Sequence, residues 1–302
     1  FEVMKSFYRY ERYPDITAKQ LKNKLSEYVS LPVDFIEVYN GSDDALKDII
    51  TVFVDRDTKV LSYQPSYTQV NTFITTNTEY YEKINIQDPL GEHYYDFDYC
   101  KSADVVYLVN PNNPTGKLLP VKEIEKLVKQ YPNTLFIVDE AYYEFAKQSC
   151  THLVVSHKNL IVTRTFSKAF GLASVRLGYC MAHPDTLSDV RKIRNGKAVN
   201  ALGQLCGIAA LNDLDYLQSR IDEMNDAKKF FIDNLPNYYQ AVNSDANFVL
   251  VKTPDSKKVL EKMRENKILI RDRSAFENLE NCVRITIGSK KQIIRVLDVM
   301  TN

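Results

Sequence analysis

The residue types best suited to chemistry in this sequence lie in one short stretch around Lys168. The apolar segment 160–162 predicts a strand, and a lysine just beyond it would lie at the carboxyl edge of a sheet, where open α/β folds bind ligands. A desolvated lysine amine there can lose its charge and form a Schiff base. Thr165, Ser167 and Arg176 add two hydroxyl groups and a guanidinium group that could hold a phosphate. The alternative is an ordinary solvated surface lysine.

A second candidate for anion binding is the turn Gly41-Ser42-Asp43, which follows a predicted strand at 35–39 and precedes a predicted helix. Glycine permits a tight turn, and the first N–H groups of the helix offer the usual geometry for an anion. The same residue types also suit an ordinary N-terminal cap. On this segment alone, both explanations stay open.

Three more predicted strand ends carry side chains that could serve the same edge of a sheet. Tyr67 could lie flat on an aromatic ligand or could simply pack against its neighbours. Asn113 lies in the loop 110–116, where two prolines and three asparagines predict a rigid turn that fixes the amide. Asp139 ends an apolar strand, which is costly unless a positive partner is present. A protonated pyridine nitrogen or a structural salt bridge would both satisfy it.

The elements that must position these residues alternate between strand and helix up to about residue 182. This alternation is typical of an α/β fold with a doubly wound, mostly parallel sheet. Beyond about residue 214, the pattern predicts a smaller α+β domain with strands at 247–251, 268–271 and 283–287. We therefore predict a large domain formed by residues 30–212, and a small domain formed by residues 1–29 together with residues 213–302.

The composition of the 302 residues excludes several classes of function. Lysine plus arginine and aspartate plus glutamate each number 39, so a net charge of zero argues against nucleic acid as a partner. There is no apolar run of about 20 residues, which argues against a membrane span. The four histidines lack metal-ligand spacing, so we expect no metal site. Five scattered cysteines and an N-terminus unlike a targeting peptide predict a reducing, cytoplasmic location.

Three motifs occur in a characteristic order: Asn-Asn-Pro-Thr-Gly at 112–116, Asp-Glu-Ala-Tyr at 139–142 and Ser-Lys-Ala-Phe-Gly-Leu-Ala at 167–173. With them, the sequence resembles the fold-type I, pyridoxal phosphate-dependent aminotransferases, and within that group the histidinol-phosphate aminotransferases. Further matching stretches are 12–14, 41–44, 65–67, 270–274 and 283–288.

The resemblance implies that the cofactor is pyridoxal 5'-phosphate and assigns roles around its ring. Lys168 would carry the cofactor and shuttle the proton during catalysis. Asp139 would pair with the ring nitrogen, and Tyr67 would cover the face of the ring. Asn113 and Tyr142 would hydrogen-bond the phenolic oxygen.

The resemblance also assigns a set of residues to the cofactor phosphate, which share hydroxyl, backbone N–H or guanidinium donors. The set consists of Gly41, Ser42, Asp43, Thr165, Ser167 and Arg176. Tyr13 would reach the same phosphate from a neighbouring subunit, because the family forms homodimers. The family's N-terminal arm is absent, truncated or unseen here, since only twelve residues precede Tyr13.

For the substrates, the resemblance implies an amino donor and a keto acceptor that react in turn, in amino-acid biosynthesis. Arg284 would grip the α-carboxylate of a donor such as glutamate, and Arg271 would help to bind a substrate phosphate. Lys197 lies where the family often has Pro-Tyr-Asn-Val, and it would add a cation near the substrate entrance.

Two alternatives remain besides this transaminase. A related group of pyridoxal phosphate enzymes decarboxylates threonine or serine phosphate, and the sequence does not determine which bond is broken. A non-catalytic or nucleotide-binding α/β protein is the other alternative, although the chain has no Gly-x-Gly-x-x-Gly motif.

Overall fold

The computed structural model of the chain describes residues 11–301, and its largest feature is a seven-stranded sheet. In chain order, the strands are β1 (Ile36–Tyr39), β2 (Val60–Gln64), β3 (Tyr81–Asn85), β4 (Val105–Val109), β5 (Leu135–Asp139), β6 (Leu160–Thr165) and β7 (Gly178–Ala182). Their spatial order is β1-β7-β6-β5-β4-β2-β3. β7 runs antiparallel to both β1 and β6, and the other pairs are parallel.

Seven helices within residues 11–301 accompany this sheet. They are α1 (Lys19–Val29), α2 (Ser42–Phe53), α3 (Gln69–Asn77), α4 (Val121–Gln130), α5 (Tyr143–Ala146), α6 (Pro184–Arg191) and α7 (Ala201–Leu211). Short 3₁₀ turns occur at Val33–Phe35, Phe97–Ser102, Thr151–Val155, Ala173–Val175 and Gly196–Ala198.

Side chains of the central strands alternate between two buried clusters, one on each face of the sheet. In β4, Val106 and Leu108 join the cluster that α1, α4 and α7 cover, whereas Val105 and Tyr107 join the one under α2, α3 and α6. Strands buried on both faces read as continuous apolar runs, which is the pattern that made them recognisable. The predicted α/β, doubly wound fold class is confirmed.

A second, four-stranded sheet is formed by the C-terminal part of the chain. Its strands are β8 (Gln240–Ala241), β9 (Phe248–Lys252), β10 (Arg271–Asp272) and β11 (Cys282–Thr286), in the spatial order β10-β11-β9-β8. Three helices pack with it: α8 (Leu214–Asp233), α9 (Ser256–Glu265) and α10 (Lys290–Thr301).

The strand predicted at 268–271 is wrong in its position. The structure has only Arg271 and Asp272 in β10, because ladder pairing with Arg284 and Val283 of β11 starts there. The preceding Leu269 is 86% exposed and lies outside the ladder. Apolar character alone therefore placed the strand too early.

Helix α1 packs on the larger sheet. Its buried residues Leu21 and Leu25 belong to the cluster that also contains Val162 and Leu177. This packing argues for grouping α1 with the large domain and against the expected grouping of residues 1–29 with the small one. Residues 1–10 and 302 lie outside the described residues, so the division into domains remains a proposal.

Hydrogen bonds join the second sheet's layer to the edge and the loops of the first. The Asn85 side-chain amide donates to Glu277 at 2.7 Å, and the Asp245 N–H donates to the carbonyl of Gly116 at 2.7 Å. The second bond ties the small layer directly to the asparagine-rich loop 110–116. It therefore fixes that loop at the boundary between the two layers.

The five cysteines are all buried and unpaired. Among residues 11–301, none of the helices combines the length and the apolar character needed to cross a bilayer.

Candidate active site

A cavity of about 360 Å³ lies between the carboxyl edge of the large sheet and the small sheet. Most of the residues singled out from the sequence line it. They are Ser42, Asp43, Tyr67, Asn113, Asp139, Tyr142, Thr165, Ser167, Lys168, Arg176, Arg271 and Arg284. The carboxyl ends of β2, β4, β5 and β6 meet here because these strands are parallel.

One end of the cavity presents donors suited to a phosphate. Ser42 and Asp43 open α2, so their N–H groups have no partner within the helix and point along the positive end of its dipole. The Arg176 guanidinium lies 3.7 Å from the Asp43 carboxylate, and Tyr67 donates its hydroxyl to the same carboxylate at 2.9 Å. Thr165 is held in place by accepting a hydrogen bond from the Ser167 N–H at 3.1 Å.

Gly41 does not line the cavity, but it makes room for this end of it. Its φ of +91° lies in a region that side chains disfavour. A Cβ at this position would lie 2.5 Å from the Nη2 atom of Arg176. Glycine is therefore required both for the turn and for the close approach of the guanidinium group.

The floor of the cavity is the carboxylate of Asp139, a residue that is only 3% exposed. It accepts hydrogen bonds from the Tyr107 hydroxyl at 3.0 Å, the Ala141 N–H at 3.1 Å and the Thr163 hydroxyl at 3.3 Å. No cation within residues 11–301 forms an ion pair with it. Burial raises the pKa of Asp139 to about 6, although the hydrogen bond from Tyr107 lowers it. The salt bridge that was one explanation of this residue is therefore not present in the described structure.

Lys168 projects into the same cavity from the turn that follows β6. Its amine lies 5.6 Å from the centre of the Tyr142 ring. The side chain is exposed to the cavity, yet the surrounding protein lowers the pKa of the amine, chiefly through desolvation and then through repulsion by Arg284. A lysine with a lowered pKa is more readily neutral and hence more nucleophilic.

The opposite end of the cavity is formed by arginines from the small sheet. Arg271 and Arg284 are direct cross-strand partners in the β10–β11 ladder. Like charges placed opposite each other destabilise an antiparallel pair, so this arrangement favours an anion between them. Arg284 also donates to the Asn113 side-chain oxygen at 2.6 Å and lies 4.8 Å from the centre of the Phe248 ring.

The loop that carries Asn113 is held by its other asparagines. Asn110 accepts a hydrogen bond from the Leu119 N–H at 2.7 Å, and Asn112 donates to the carbonyl of Pro65 at 2.9 Å. The Asn113 side chain does not stabilise the loop in this way. Its side chain instead faces the cavity and contacts Arg284, linking the floor of the cavity to the arginine end.

Besides Gly41, two of the predicted site residues do not line this cavity. Tyr13 is 79% exposed, and the Lys197 amine lies 4.6 Å from the centre of the Tyr13 ring. The two side chains therefore form a small exposed cluster of their own. The role predicted for Lys197 at the substrate entrance is not supported by its position within a single chain.

Several residues around the cavity escaped the sequence analysis. Arg273 and Phe276 line it from the turn after β10, and Ser66 and Thr68 line it beside Tyr67. Arg273 lies within the matching stretch 270–274, so its charge could have identified it as a candidate from the sequence. Tyr107 lies under the floor, and nothing distinguished it from an ordinary strand residue.

The donor set fits pyridoxal phosphate by its chemistry. The phosphate would be held by Ser42, Ser167 and Arg176, and the buried carboxylate of Asp139 would meet a protonated ring nitrogen. Such a nitrogen supplies the positive partner that this carboxylate lacks among the described residues. Lys168 is the amine that would attach the cofactor covalently.

The comparisons with known proteins agree with this arrangement. A family model described as aminotransferase class I and II matches residues 3–300. The chain belongs to the class I and II aminotransferase family.

Three similar proteins show how far the likeness extends. A dihydroxyacetone phosphate transaminase of Campylobacter jejuni is 36% identical over 297 residues, which cover 95% of this chain and 80% of that protein. A histidinol-phosphate aminotransferase of a Thermoanaerobacter species is 34% identical over 286 residues, which cover 92% of this chain and 80% of that protein. The crystal structure of the Sinorhizobium meliloti histidinol-phosphate aminotransferase in complex with pyridoxal-5'-phosphate shares the fold, with a TM-score of 0.90 at 24% identity over 99% of this chain and 84% of that one.

Proposed function

We propose that this protein is a pyridoxal phosphate-dependent transaminase that exchanges an amino group between glutamate and a small phosphorylated compound, for which histidinol phosphate is the first candidate. One observation carries the proposal. A single cavity holds the Lys168 amine and the buried Asp139 carboxylate between two anion-binding ends. Membership of the aminotransferase family supports the reaction class.

The roles of the residues follow from their positions. When bound, pyridoxal phosphate supplies an electron-accepting ring that stabilises negative charge on the substrate carbon. The Asp139 carboxylate keeps the ring nitrogen protonated, because a proton shared there removes the cost of a buried, unpaired charge. Lys168 moves the proton at the substrate's amino-bearing carbon, and its lowered pKa makes the amine more readily neutral, as a base must be.

The substrate class follows from the arginine end of the cavity. The two relatives' names share a chemical feature, because histidinol phosphate and dihydroxyacetone phosphate both carry a phosphate monoester one carbon from the amino- or keto-bearing carbon. Arg271 and Arg284 suit a second anion that lies beyond the reacting carbon. Glutamate, with its two carboxylates, fits the same arginines in the other half of the reaction.

We also propose a homodimer in which Tyr13 reaches the phosphate in the neighbouring subunit's cavity. Tyr13 is exposed and lies outside its own chain's cavity, which supports a role across an interface. Sedimentation velocity should give a dimer, and Tyr13→Phe should weaken pyridoxal phosphate binding without dissociating it. A monomeric holoenzyme with full activity would rule out this part of the proposal. The unpaired cysteines support a reducing, cytoplasmic location.

A substrate panel tests the reaction. The holoenzyme is incubated with glutamate and dihydroxyacetone phosphate, with 2-oxoglutarate and histidinol phosphate, and with threonine phosphate alone. Amino transfer in either of the first two supports the proposal. Release of carbon dioxide from threonine phosphate without amino transfer would replace it with decarboxylation. If added pyridoxal phosphate gives no visible absorbance band, the protein is not an enzyme of this cofactor.

The Gly41→Ala variant is expected to bind pyridoxal phosphate about tenfold more weakly, because its Cβ displaces the Arg176 guanidinium. Equilibrium titration of absorbance measures this affinity. Gly171→Ala is the matched control, since Gly171 also has a positive φ, of +67°, but no atom within 4 Å of a built Cβ. Equal affinities for the two variants would show that the clash at Arg176 does not matter.

The Tyr107→Phe variant tests the support under the floor of the cavity. Losing its hydrogen bond raises the pKa of Asp139 further above 6, so the carboxylate of the variant is less ionised near pH 6. We expect cofactor affinity to fall about tenfold at pH 6 and to approach that of wild type by pH 8. Tyr39→Phe removes another buried hydroxyl, which has no partner among the described residues, and should show no such pH dependence.

A further inference from the structure

The arginine end of the cavity contains a third guanidinium group, that of Arg273. Within residues 11–301, neither Arg271, Arg273 nor Arg284 forms an ion pair with a carboxylate. The carboxylates that do line the cavity, Asp43 and Asp139, belong to its other end and its floor. Three guanidinium groups thus share one end of the cavity with no anion of the described chain to balance them.

The backbone holds Arg273 in a fixed turn directly after β10. Its N–H donates to the carbonyl of Cys282 at 2.9 Å. The Ser274 N–H donates to the Asp272 carboxylate at 2.9 Å, and the Ser274 hydroxyl lies 3.0 Å from that of Ser256. An anchored turn costs less entropy on binding than a mobile loop, so Arg273 is presented in a preorganised way.

The donors of Arg273 are largely uncommitted. Its Nη1 donates to the neighbouring Asp272 carbonyl at 3.0 Å, whereas its Nε is buried and has no hydrogen-bond partner among the described residues. Arg284 likewise has a buried Nε without a partner among the described residues, but its Nη1 donates to the Asn113 side chain inside the cavity. A buried guanidinium N–H without a partner is costly, so its position favours an acceptor that comes from a ligand.

Electrostatic repulsion among the three guanidinium groups also favours an acceptor that comes from a ligand. Burial, followed by the charges of Arg284 and Arg271, lowers the pKa of Arg273. An anion placed among the three groups relieves that repulsion, and a dianion relieves it more than a monoanion does. A phosphate monoester carries close to two negative charges at neutral pH, whereas a carboxylate carries one.

We infer that Arg273 is a specificity residue, which makes this end of the cavity prefer the dianionic phosphate monoester of the substrate to a carboxylate. The inference rests on the proposed function and deepens it. In this assignment Arg271, at the exposed rim, and Arg273, further in, bind the phosphate together. Arg284, tied to Asn113, binds the carboxylate of the amino donor.

The test compares Arg273→Gln with the wild-type holoenzyme. For the phosphorylated substrate, kcat/KM should fall roughly tenfold to hundredfold, mainly through KM, because charge-assisted hydrogen bonds to phosphate are lost. For glutamate, kcat/KM should change by less than about threefold, since Arg284 remains. Arg220→Gln, an exposed arginine paired with Glu223 on α8, is the matched control and should leave both values unchanged.

A binding measurement separates charge recognition from a structural effect. Calorimetry with glycerol 3-phosphate should give wild-type affinity that rises between pH 5.5 and 7.5, as the ester passes its second pKa near 6. Arg273→Gln should bind it more weakly with a flatter pH dependence, and Arg273→Lys should recover part of both.

The outcomes are distinguishable from failure of the proposed function. If the wild-type enzyme shows no amino transfer with any of the substrates, the proposed function itself is contradicted. An active Arg273→Gln enzyme that matches Arg220→Gln for the phosphorylated substrate, with the wild-type pH dependence for glycerol 3-phosphate, would overturn the assignment of Arg273 alone.

Discussion

The turnover rate of the Lys168→Ala variant is expected to be at least about 10³-fold lower than that of wild type, because the same amine both attaches the cofactor and transfers the proton. The visible absorbance that arises from covalent attachment should disappear. Non-covalent binding should persist, since Ser42, Ser167 and Arg176 still face the phosphate. Absorbance spectra and a coupled assay for 2-oxoglutarate release from glutamate measure the two effects.

Lys192→Ala is the matched control for this experiment. Lys192 is exposed, pairs with Asp189 on the surface and lies outside the cavity. Its removal should change neither the spectrum nor the rate. If Lys168→Ala retains both the visible band and normal transamination, another amine performs the chemistry, and the proposed site is wrong.

The Asp139→Asn variant is expected to lose activity and to gain stability. Without the negative charge, the ring nitrogen loses the partner that keeps it protonated, and kcat/KM should fall by at least about 10²-fold. The protein without cofactor should become about 1–2 kcal/mol more stable at pH 7.5, because a buried charge with no cationic partner is removed. Chemical denaturation with and without pyridoxal phosphate measures the second effect.

The sign of the stability change follows from the pKa. Burial raises the pKa of Asp139 from 3.8 to about 6. Between these two pH values, the folded protein without cofactor keeps a proton on Asp139 that the unfolded chain has released. The stability from this residue is complete below pH 4 and is lost as the pH rises through 6. The full difference corresponds to roughly 3 kcal/mol. Asparagine regains less, since the Tyr107 hydroxyl must reverse from donor to acceptor.

Glu144→Gln provides a matched control for this pair of effects. Glu144 is also buried, with 3% exposed, and burial raises its pKa to about 7, but it lies outside the cavity. Its replacement should stabilise the protein and leave turnover unchanged. If Asp139→Asn behaves in the same way, Asp139 is a structural residue and has no part in the reaction.

The fold was largely predictable because both faces of the large sheet are covered. Strands such as β4, and β5 up to its final aspartate, are then continuous apolar runs, separated by helices with a clear apolar face. The short strand β10 was not predictable in position. Its two residues are both exposed, and only their pairing with Arg284 and Val283 of β11 defines it.

The candidate site was predictable where a residue ends a parallel strand, because such ends meet at one edge of the sheet. Asp139 and Lys168 are of this kind. Tyr107 was not, since its partner Asp139 lies on the next strand and the bond between them depends on strand order. Tyr13 shows the limit of a single chain, because the cavity proposed for it belongs to another subunit. Lys197, expected near the substrate entrance, instead contacts the Tyr13 ring.

Reductive trapping tests the central claim most directly. Pyridoxal phosphate is added to the protein, the complex is reduced with borohydride, and the modified peptide is identified by mass spectrometry. Covalent attachment by a Schiff base predicts a stable pyridoxyl label on Lys168. The label should be absent from Lys168→Ala, and Asp139→Asn should carry less of it than wild type at equal cofactor concentration. A label on a different lysine, or no label at saturating cofactor, would contradict it.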